Sequence, residues 1–228
     1  MANSHVIGIL GGMGPMATIA FYQMLINAQH IQTEQDYLDT IIYSKTSIPD
    51  RTAFILGRSN NNPLSSLIAA ATALEQAGAG FIAIPCVTSH YFYNDIAKAV
   101  NIPIINMPEE IAAYVKSQGI KNVGLLATDG TIQSRVLHNV LEPLGINVVT
   151  PDTARQQLLM ELIYGIKQGQ RIHDEDFAIV ESTLYSRGAE NIVLGCTELS
   201  LIKDEMCPRG IDVLEVLVQS ALKLGSKI

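Results

Sequence analysis

Residues 80–90, GFIAIPCVTSH, have a near-copy in residues 190–200, ENIVLGCTELS. A shift of 110 residues, without a gap, lays Cys86 on Cys196, Gly78 on Gly188, Ala79 on Ala189, Ile82 on Ile192 and Ile84 on Leu194. Each copy is a short apolar run that ends at a cysteine and continues in small hydroxyl or acidic residues. Such a run reads as a buried parallel strand whose carboxyl end delivers a thiol into a loop, just before a helix. Open α/β sheets bind ligands outside the carboxyl ends of their strands. Two lobes with one thiol each can therefore bring both thiols to one cleft.

A second match, offset by 116 residues, lays Ile7 on Val123, Gly8 on Gly124, Ile9 and Leu10 on Leu125 and Leu126, and Gly14 on Gly130. Two matches in the same order are the mark of a duplicated unit. The expected fold is therefore α/β: two pseudo-symmetric lobes, each a mainly four-stranded parallel sheet flanked by helices, with the active site in the interlobe cleft. In the first lobe IPIIN, residues 102–106, supplies the fourth strand. Helices are expected over 17–28, 64–76, 91–100, 108–118, 131–142, 153–168, 174–187 and 215–224, and IDVL makes a last short strand.

Composition narrows the function. The chain has 228 residues, 48% hydrophobic and 16% charged, as a globular protein does. Its formal net charge of −7 disfavours nucleic acid and anionic membrane as partners. No apolar run reaches the roughly 18 residues of a membrane span. No basic stretch precedes an apolar run at the N-terminus, so a cytoplasmic location is expected. Three cysteines, Cys86, Cys196 and Cys207, fit neither a disulfide framework nor a zinc pattern. No metal is expected, and Cys207 receives no role.

The first apolar run, VIGIL, breaks into Gly11-Gly12-Met13-Gly14-Pro15. Strand, glycine turn and helix aim backbone N–H groups at an anion. Gly12, Gly14 and Ala17 satisfy GxGxxA, but the acidic residue of a dinucleotide site is missing after the second strand. The loop reads as a carboxylate cradle, with a nucleotide site or a plain tight turn as alternatives. Arg51 follows the Pro49-Asp50 turn at the carboxyl side of a strand, where a guanidinium can hold a carboxylate bidentately. Lys167 closes the helix before Gly169. Taken alone, Arg51 reads as a surface arginine and Lys167 as a lysine matched to a helix end. Thr88 and Ser89 are candidate N-caps beside Cys86, and His90 falls either against the thiol or in the first helical turn.

Together GILGGMGP, SIPDRT, PCVTSH, GIKQG and GCTEL resemble the aspartate/glutamate racemase superfamily, most closely its cofactor-independent aspartate racemase branch. The resemblance runs over nearly the whole chain. It implies a two-lobed, commonly dimeric isomerase that moves a proton at the α-carbon of an amino acid without a cofactor. By that resemblance Cys86 and Cys196 are the acid/base pair. Met13, Thr88, Thr128, Thr197 and Glu198 line the substrate site, and Arg51 and Lys167 hold the side-chain carboxylate of L- or D-aspartate. It also implies that the last helix returns to the first lobe, so the lobes are residues 1–100 with 208–228 and residues 101–207. The family's first motif usually reads Cys-Asn-Thr. Here Val87 stands in the middle and offers no amide. The alternatives are a glutamate or broad-specificity racemase, maleate or hydantoin isomerisation, a non-catalytic dicarboxylate binder, and a nucleotide-dependent enzyme.

Overall fold

The computed structural model describes residues 6–225. Among these residues seven strands form two parallel sheets. The first has the order β2-β1-β3, with β1 Val6–Gly11, β2 Asp39–Ser44 and β3 Phe81–Ala83. The second has the order β5-β4-β6-β7, with β4 Asn122–Leu126, β5 Asn147–Val149, β6 Asn191–Leu194 and β7 Ile211–Asp212. The helices are α1 (Pro15–Asn27), α2 (Arg51–Ile55), α3 (Leu64–Gln76), α4 (Tyr93–Ala97), α5 (Met107–Ser117) and α6 (Asp129–Gln133). They continue as α7 (His138–Leu141), α8 (Thr153–Lys167), α9 (Asp174–Ser186), α10 (Lys203–Met206) and α11 (Val213–Gly225). This is the α/β architecture expected from the sequence.

Three details differ from expectation. The first sheet has three strands rather than four. Residues 102–106 make only a single parallel bridge, Ile104 to Ile82. Ile82 N–H donates to the Pro103 carbonyl and Ile105 N–H to the Ile82 carbonyl. Pro103 itself has no N–H to extend a ladder. The helix expected over 131–142 is two short helices, α6 and α7, separated at Arg135, whose φ of 55° is left-handed. The helix expected over 91–100 is a 3₁₀ turn, Val87–Phe92, leading into the five-residue α4.

Strand alternation decides how the layers stack. In the first sheet Ile7, Ile9, Phe81 and Ala83 face one way and enter a core shared with the second sheet. Leu10, Ile82 and Ile84 face the other way, onto α3 residues Leu67, Ala70 and Leu74. In the second sheet Val123, Leu125 and Val193 enter the shared core, while Leu126, Ile192 and Leu194 meet Leu159, Phe177 and Leu184 of α8 and α9. Ile111 and Val115 of α5 and Leu214, Leu217 and Ala221 of α11 complete the shared core. α11 packs against α1, α5 and β1, although β7 just before it pairs with β6.

The duplication is visible in this packing. A Cβ on Gly8 would stand 2.9 Å from Ala79 Cβ and 3.3 Å from Leu74 Cβ. A Cβ on Gly124 would stand 3.0 Å from Leu184 Cδ1 and 3.2 Å from Ala189 Cβ. Leu184 and Ala189 are the repeat partners of Leu74 and Ala79. Both lobes thus use a mid-strand glycine to admit the same leucine–alanine pair. At Gly124 the nearest atom is the movable tip of a leucine, whereas at Gly8 it is a fixed alanine Cβ. Gly8→Ala is expected to destabilise by about 1–3 kcal/mol through overpacking, and Gly124→Ala by less. Urea denaturation midpoints of the two variants check this order.

Candidate active site

β1 ends in the glycine loop, and Pro15 at the first helical position starts α1. Gly12 has φ +91°, and a Cβ there would fall 2.5 Å from the Lys45 backbone. Only glycine lets the loop lie this close to the end of β2. Gly12 N–H donates to Thr18 Oγ1 (2.9 Å). Gly14 N–H donates to Glu198 Oε1 (3.0 Å), a carboxylate from the loop after β6. The Met13 sulfur accepts from the Ser89 hydroxyl (3.2 Å) and its carbonyl from Arg51 Nη2 (3.3 Å).

Asp50 caps α2 by accepting from Ala53 N–H (2.9 Å), which sets Arg51 at the first helical position. Arg51 Nη1 donates to the carbonyls of Pro49 (3.1 Å) and Ile48 (3.5 Å). Arg51 Nε is buried and has no partner among the described residues. Burial would raise the Asp50 carboxyl. The Ala53 N–H, the Arg51 guanidinium, the Tyr164 hydroxyl and Lys167 outweigh burial and hold it below the usual range. Tyr164 OH reaches Asp50 Oδ2 across the lobes at 3.1 Å.

Cys86 follows β3 through Ile84 and Pro85 and is itself the N-cap of the 3₁₀ turn. Thr88 and Ser89, expected as caps, lie inside that turn and cap nothing. Thr88 Oγ1 instead meets Thr128 Oγ1 (3.1 Å) and Thr131 Oγ1 (2.9 Å) of the second lobe. His90 falls in the turn: its Nδ1 lies 3.0 Å from the Cys86 carbonyl. A carbonyl can only accept, so Nδ1 carries the proton. Burial pushes the ring's pKa down, and neutral Nε2 then accepts from Met107 N–H (3.3 Å). His90 braces the Cys86 loop against α5. Val87 is 2% exposed and sits in the shared core.

Cys196 follows β6 through Gly195. Its thiol donates to Glu198 Oε2 (3.0 Å), and Thr197 Oγ1 approaches the same oxygen at 3.5 Å. Lys167, in the last turn of α8, lies 3.7 Å from Glu198 Oε1 and 5.6 Å from the Tyr164 ring centroid. Burial would lower the Lys167 ammonium, but Cys196, Glu198 and Cys86 together outweigh it and Arg51, and hold the pKa up. The Cys196 thiol is pushed well above its ordinary value, first by burial and then by Glu198, against the pull of Lys167.

These residues enclose a cleft of about 190 Å³, walled by the Gly12–Met16 loop, Asp50 and Arg51 on one side and by Lys167 and Glu198 on the other. That is small beside the roughly 300–1,000 Å³ of drug-sized pockets. Neither Cys86 nor Cys196 is among the residues that line it. Cys196 is bonded to Glu198, and Cys86 is near enough to act on Lys167. Of the residues singled out in the sequence, Met13, Arg51, Lys167 and Glu198 line the cleft. Thr197 stands behind Glu198, while Thr88 and Thr128 form a hydroxyl cluster where the lobes meet. Asp50, Tyr164 and Thr131 were not singled out for the site. Tyr164 could have been, because it lies three residues before Lys167 and so on the same helical face. A larger open groove of about 1050 Å³, bordered by α5, α11 and residues 208–212, contains none of these residues. Among the described residues no cluster of three His, Cys, Asp or Glu could hold a metal ion.

Comparison with known proteins shows the family. Broad specificity amino-acid racemase RacX of Bacillus subtilis is 33% identical over 210 residues, 88% of each chain. The aspartate racemase of Picrophilus torridus superposes with a TM-score of 0.87 at 27% identity, covering 97% of this chain and 94% of that one. An aspartate racemase homologue from Pyrococcus horikoshii superposes at 0.77 and 29% identity, covering 97% and 99%. The family model for Asp/Glu/hydantoin racemase matches residues 10–221. With paired cysteine loops at the ends of β3 and β6 and a cleft between the two sheets, the chain belongs to the Asp/Glu/hydantoin racemase family and is an isomerase of the racemase type.

Proposed function

We propose that the chain is a cofactor-independent amino-acid racemase acting on aspartate, with Cys86 and Cys196 as the two proton-transfer groups. One observation carries the reading: the Lys167 ammonium, in the cleft wall, lies within electrostatic reach of both sulfurs. A substrate carboxylate drawn to Lys167 is thereby drawn toward Glu198 and the Cys196 thiol bonded to it. One sulfur removes the α-proton from one face and the other returns a proton to the opposite face. The developing enolate-like carboxylate needs positive or hydrogen-bond-donating neighbours already in place. The hydroxyls of Thr88, Thr128 and Thr197 are the groups we assign to it, with Met13 shaping the floor.

Arg51 supports an acidic side chain on the substrate. A guanidinium has five N–H donors. Three are taken by the carbonyls of Ile48, Pro49 and Met13, which leaves Nε–H and one Nη2–H. Nε and Nη2 form one edge of the planar fork, the edge that takes a carboxylate bidentately. The buried, unpartnered Nε is the donor such a carboxylate would satisfy. The aspartate racemase from P. torridus supports the same substrate. A second reading, a glutamate or broad-specificity racemase, draws on Val87, which removes an amide from the first motif, and on the B. subtilis relative.

The reading takes the chain as two lobes, residues 1–100 with 208–228 and residues 101–207. Packing of α11 on α1 supports the return of the chain's end. It also takes a cytoplasmic homodimer. No described helix is long and apolar enough to cross a membrane, and Ile42 and Tyr43 stand exposed on the free edge of β2.

Incubation with L-aspartate in deuterated water is expected to yield D-aspartate with deuterium at the α-carbon. Tight binding with neither change would mark a dicarboxylate binder instead. Cys86→Ala and Cys196→Ala should each lower racemisation by at least the roughly 10²–10⁴-fold ascribed to one acid/base group. Near-normal turnover in either variant rules out the two-thiol assignment. Arg51→Ala should weaken aspartate by about 10–100-fold, in line with roughly 1.5–3 kcal/mol for a charged hydrogen bond, while leaving alanine binding nearly unchanged. Isothermal titration with both ligands reads the difference.

A further inference from the structure

The shift that lays Cys86 on Cys196 also lays Thr88 on Glu198. The two halves therefore differ two residues past each cysteine. Thr88 turns its hydroxyl toward Thr128 and Thr131. Glu198 folds back, and its Oε2 accepts from the Cys196 thiol at 3.0 Å. Cys196 is 6% exposed and Glu198 2%. Among the described residues no carboxylate is hydrogen-bonded to the Cys86 sulfur.

The other Glu198 oxygen is fixed by Gly14 N–H at 3.0 Å and faces the Lys167 ammonium at 3.7 Å. With a backbone N–H and an ammonium on that oxygen, Glu198 meets the thiol as an acceptor, and the Cys196 sulfur is the donor of their hydrogen bond. The hydrogen between Cys196 and Glu198 is therefore the thiol's own. Its loss would leave thiolate and carboxylate as buried neighbours of like charge. The charged groups that face Cys196 are Glu198 on its own loop and Lys167 from α8. Behind Lys167 stand Cys86 from the loop after β3 and Arg51 from α2.

We propose that Glu198 is a positioning residue that keeps the proton on Cys196, so that the ligand-free enzyme holds Cys196 as proton donor. The direction of proton flow rests on the racemase reading; the proton's place on Cys196 does not. In the forward step the Cys86 sulfur, as thiolate after losing its own proton to water, forms a bond to the α-hydrogen, and the C–H electron pair stays on carbon. That pair then takes the hydrogen of Cys196, whose S–H bond breaks to leave a thiolate. The resting state returns when a proton passes from Cys86 to Cys196 through water, or when the opposite enantiomer is turned over. Enantiomers have equal free energies, so kcat/KM for the two directions stays equal in every variant. The inequality of the thiols shows in pH dependence instead.

The test uses the full chain with Cys86→Ser and Cys207→Ser, so that Cys196 is the sole thiol. Its ionisation is followed by ultraviolet thiolate absorbance and by the rate of alkylation with iodoacetamide against pH. Adding Glu198→Gln is expected to lower the ionisation midpoint by at least about one pH unit, a tenfold change in the proton's equilibrium. Glu198→Asp, which keeps the charge one methylene back, should lower it by less, and it serves if the glutamine variant fails to fold by circular dichroism. An unchanged midpoint in whichever variants fold overturns the proposal. With all cysteines restored, Glu198→Gln should move the alkaline limb of kcat/KM down by the same amount. A raised KM with that limb unmoved makes Glu198 a substrate contact only, and also overturns it. A shifted midpoint in a protein that racemises nothing supports the Cys196–Glu198 pairing while removing the racemase reading.

Discussion

The shared core between the two sheets is the constraint from which the rest follows. Ile7, Ile9 and Phe81 from one sheet and Val123, Leu125 and Val193 from the other bury against the same two helices, α5 and α11. Burying these side chains from both sides is worth roughly 1.5–3 kcal/mol apiece, so that together they outweigh any single polar contact in the cleft. The hydrophobic contact thus fixes how the lobes face each other. The carboxyl ends of β3 and β6 then look into one space, and the two cysteine loops have no other place to go.

Within that space the electrostatics are unusually full for a cleft of about 190 Å³. Arg51 and Lys167 bring two positive charges, and Asp50 and Glu198 bring two carboxylates. Lys167 sits among Glu198 and both sulfurs, while Asp50 is tied to Ala53 N–H and Tyr164. An arriving dicarboxylate enters as a competitor for cations already matched to the chain's own acids. Selectivity for an acidic ligand then depends on what remains unpaired, and the Nε edge of Arg51 is the clearest such group.

The fold was legible because strand alternation is written directly in the residues. Ile7 and Ile9 against Leu10, or Phe81 and Ala83 against Ile82, tell which face meets which layer. The cysteine loops were legible because the repeat is gapless. Other features were hidden for physical reasons. IPIIN has the apolar character of a strand, yet Pro103 limits it to one bridge. The break at Arg135 depends on a left-handed backbone conformation that no turn residue announces. The Asp50–Tyr164 contact joins residues 114 apart, and Thr131 joins Thr88 across the lobes. Such pairs appear only after the core has brought the lobes together. Cys207 shows the limit of reading by residue type: buried, bonded to Glu181 and pushed up to about 12, it lies away from the cleft.

The threonine cluster has a consequence of its own. At the rim the lobes meet through charge, with Arg58 3.9 Å from Asp129 and Asp50 under the Tyr164 hydroxyl. Deeper in they meet through Thr88, Thr128 and Thr131, three buried hydroxyls that donate and accept in a ring and carry no charge. Ionic strength screens exposed charges and leaves neutral buried contacts nearly untouched. The rim can therefore loosen in brine while the threonine contact beneath it keeps its alignment.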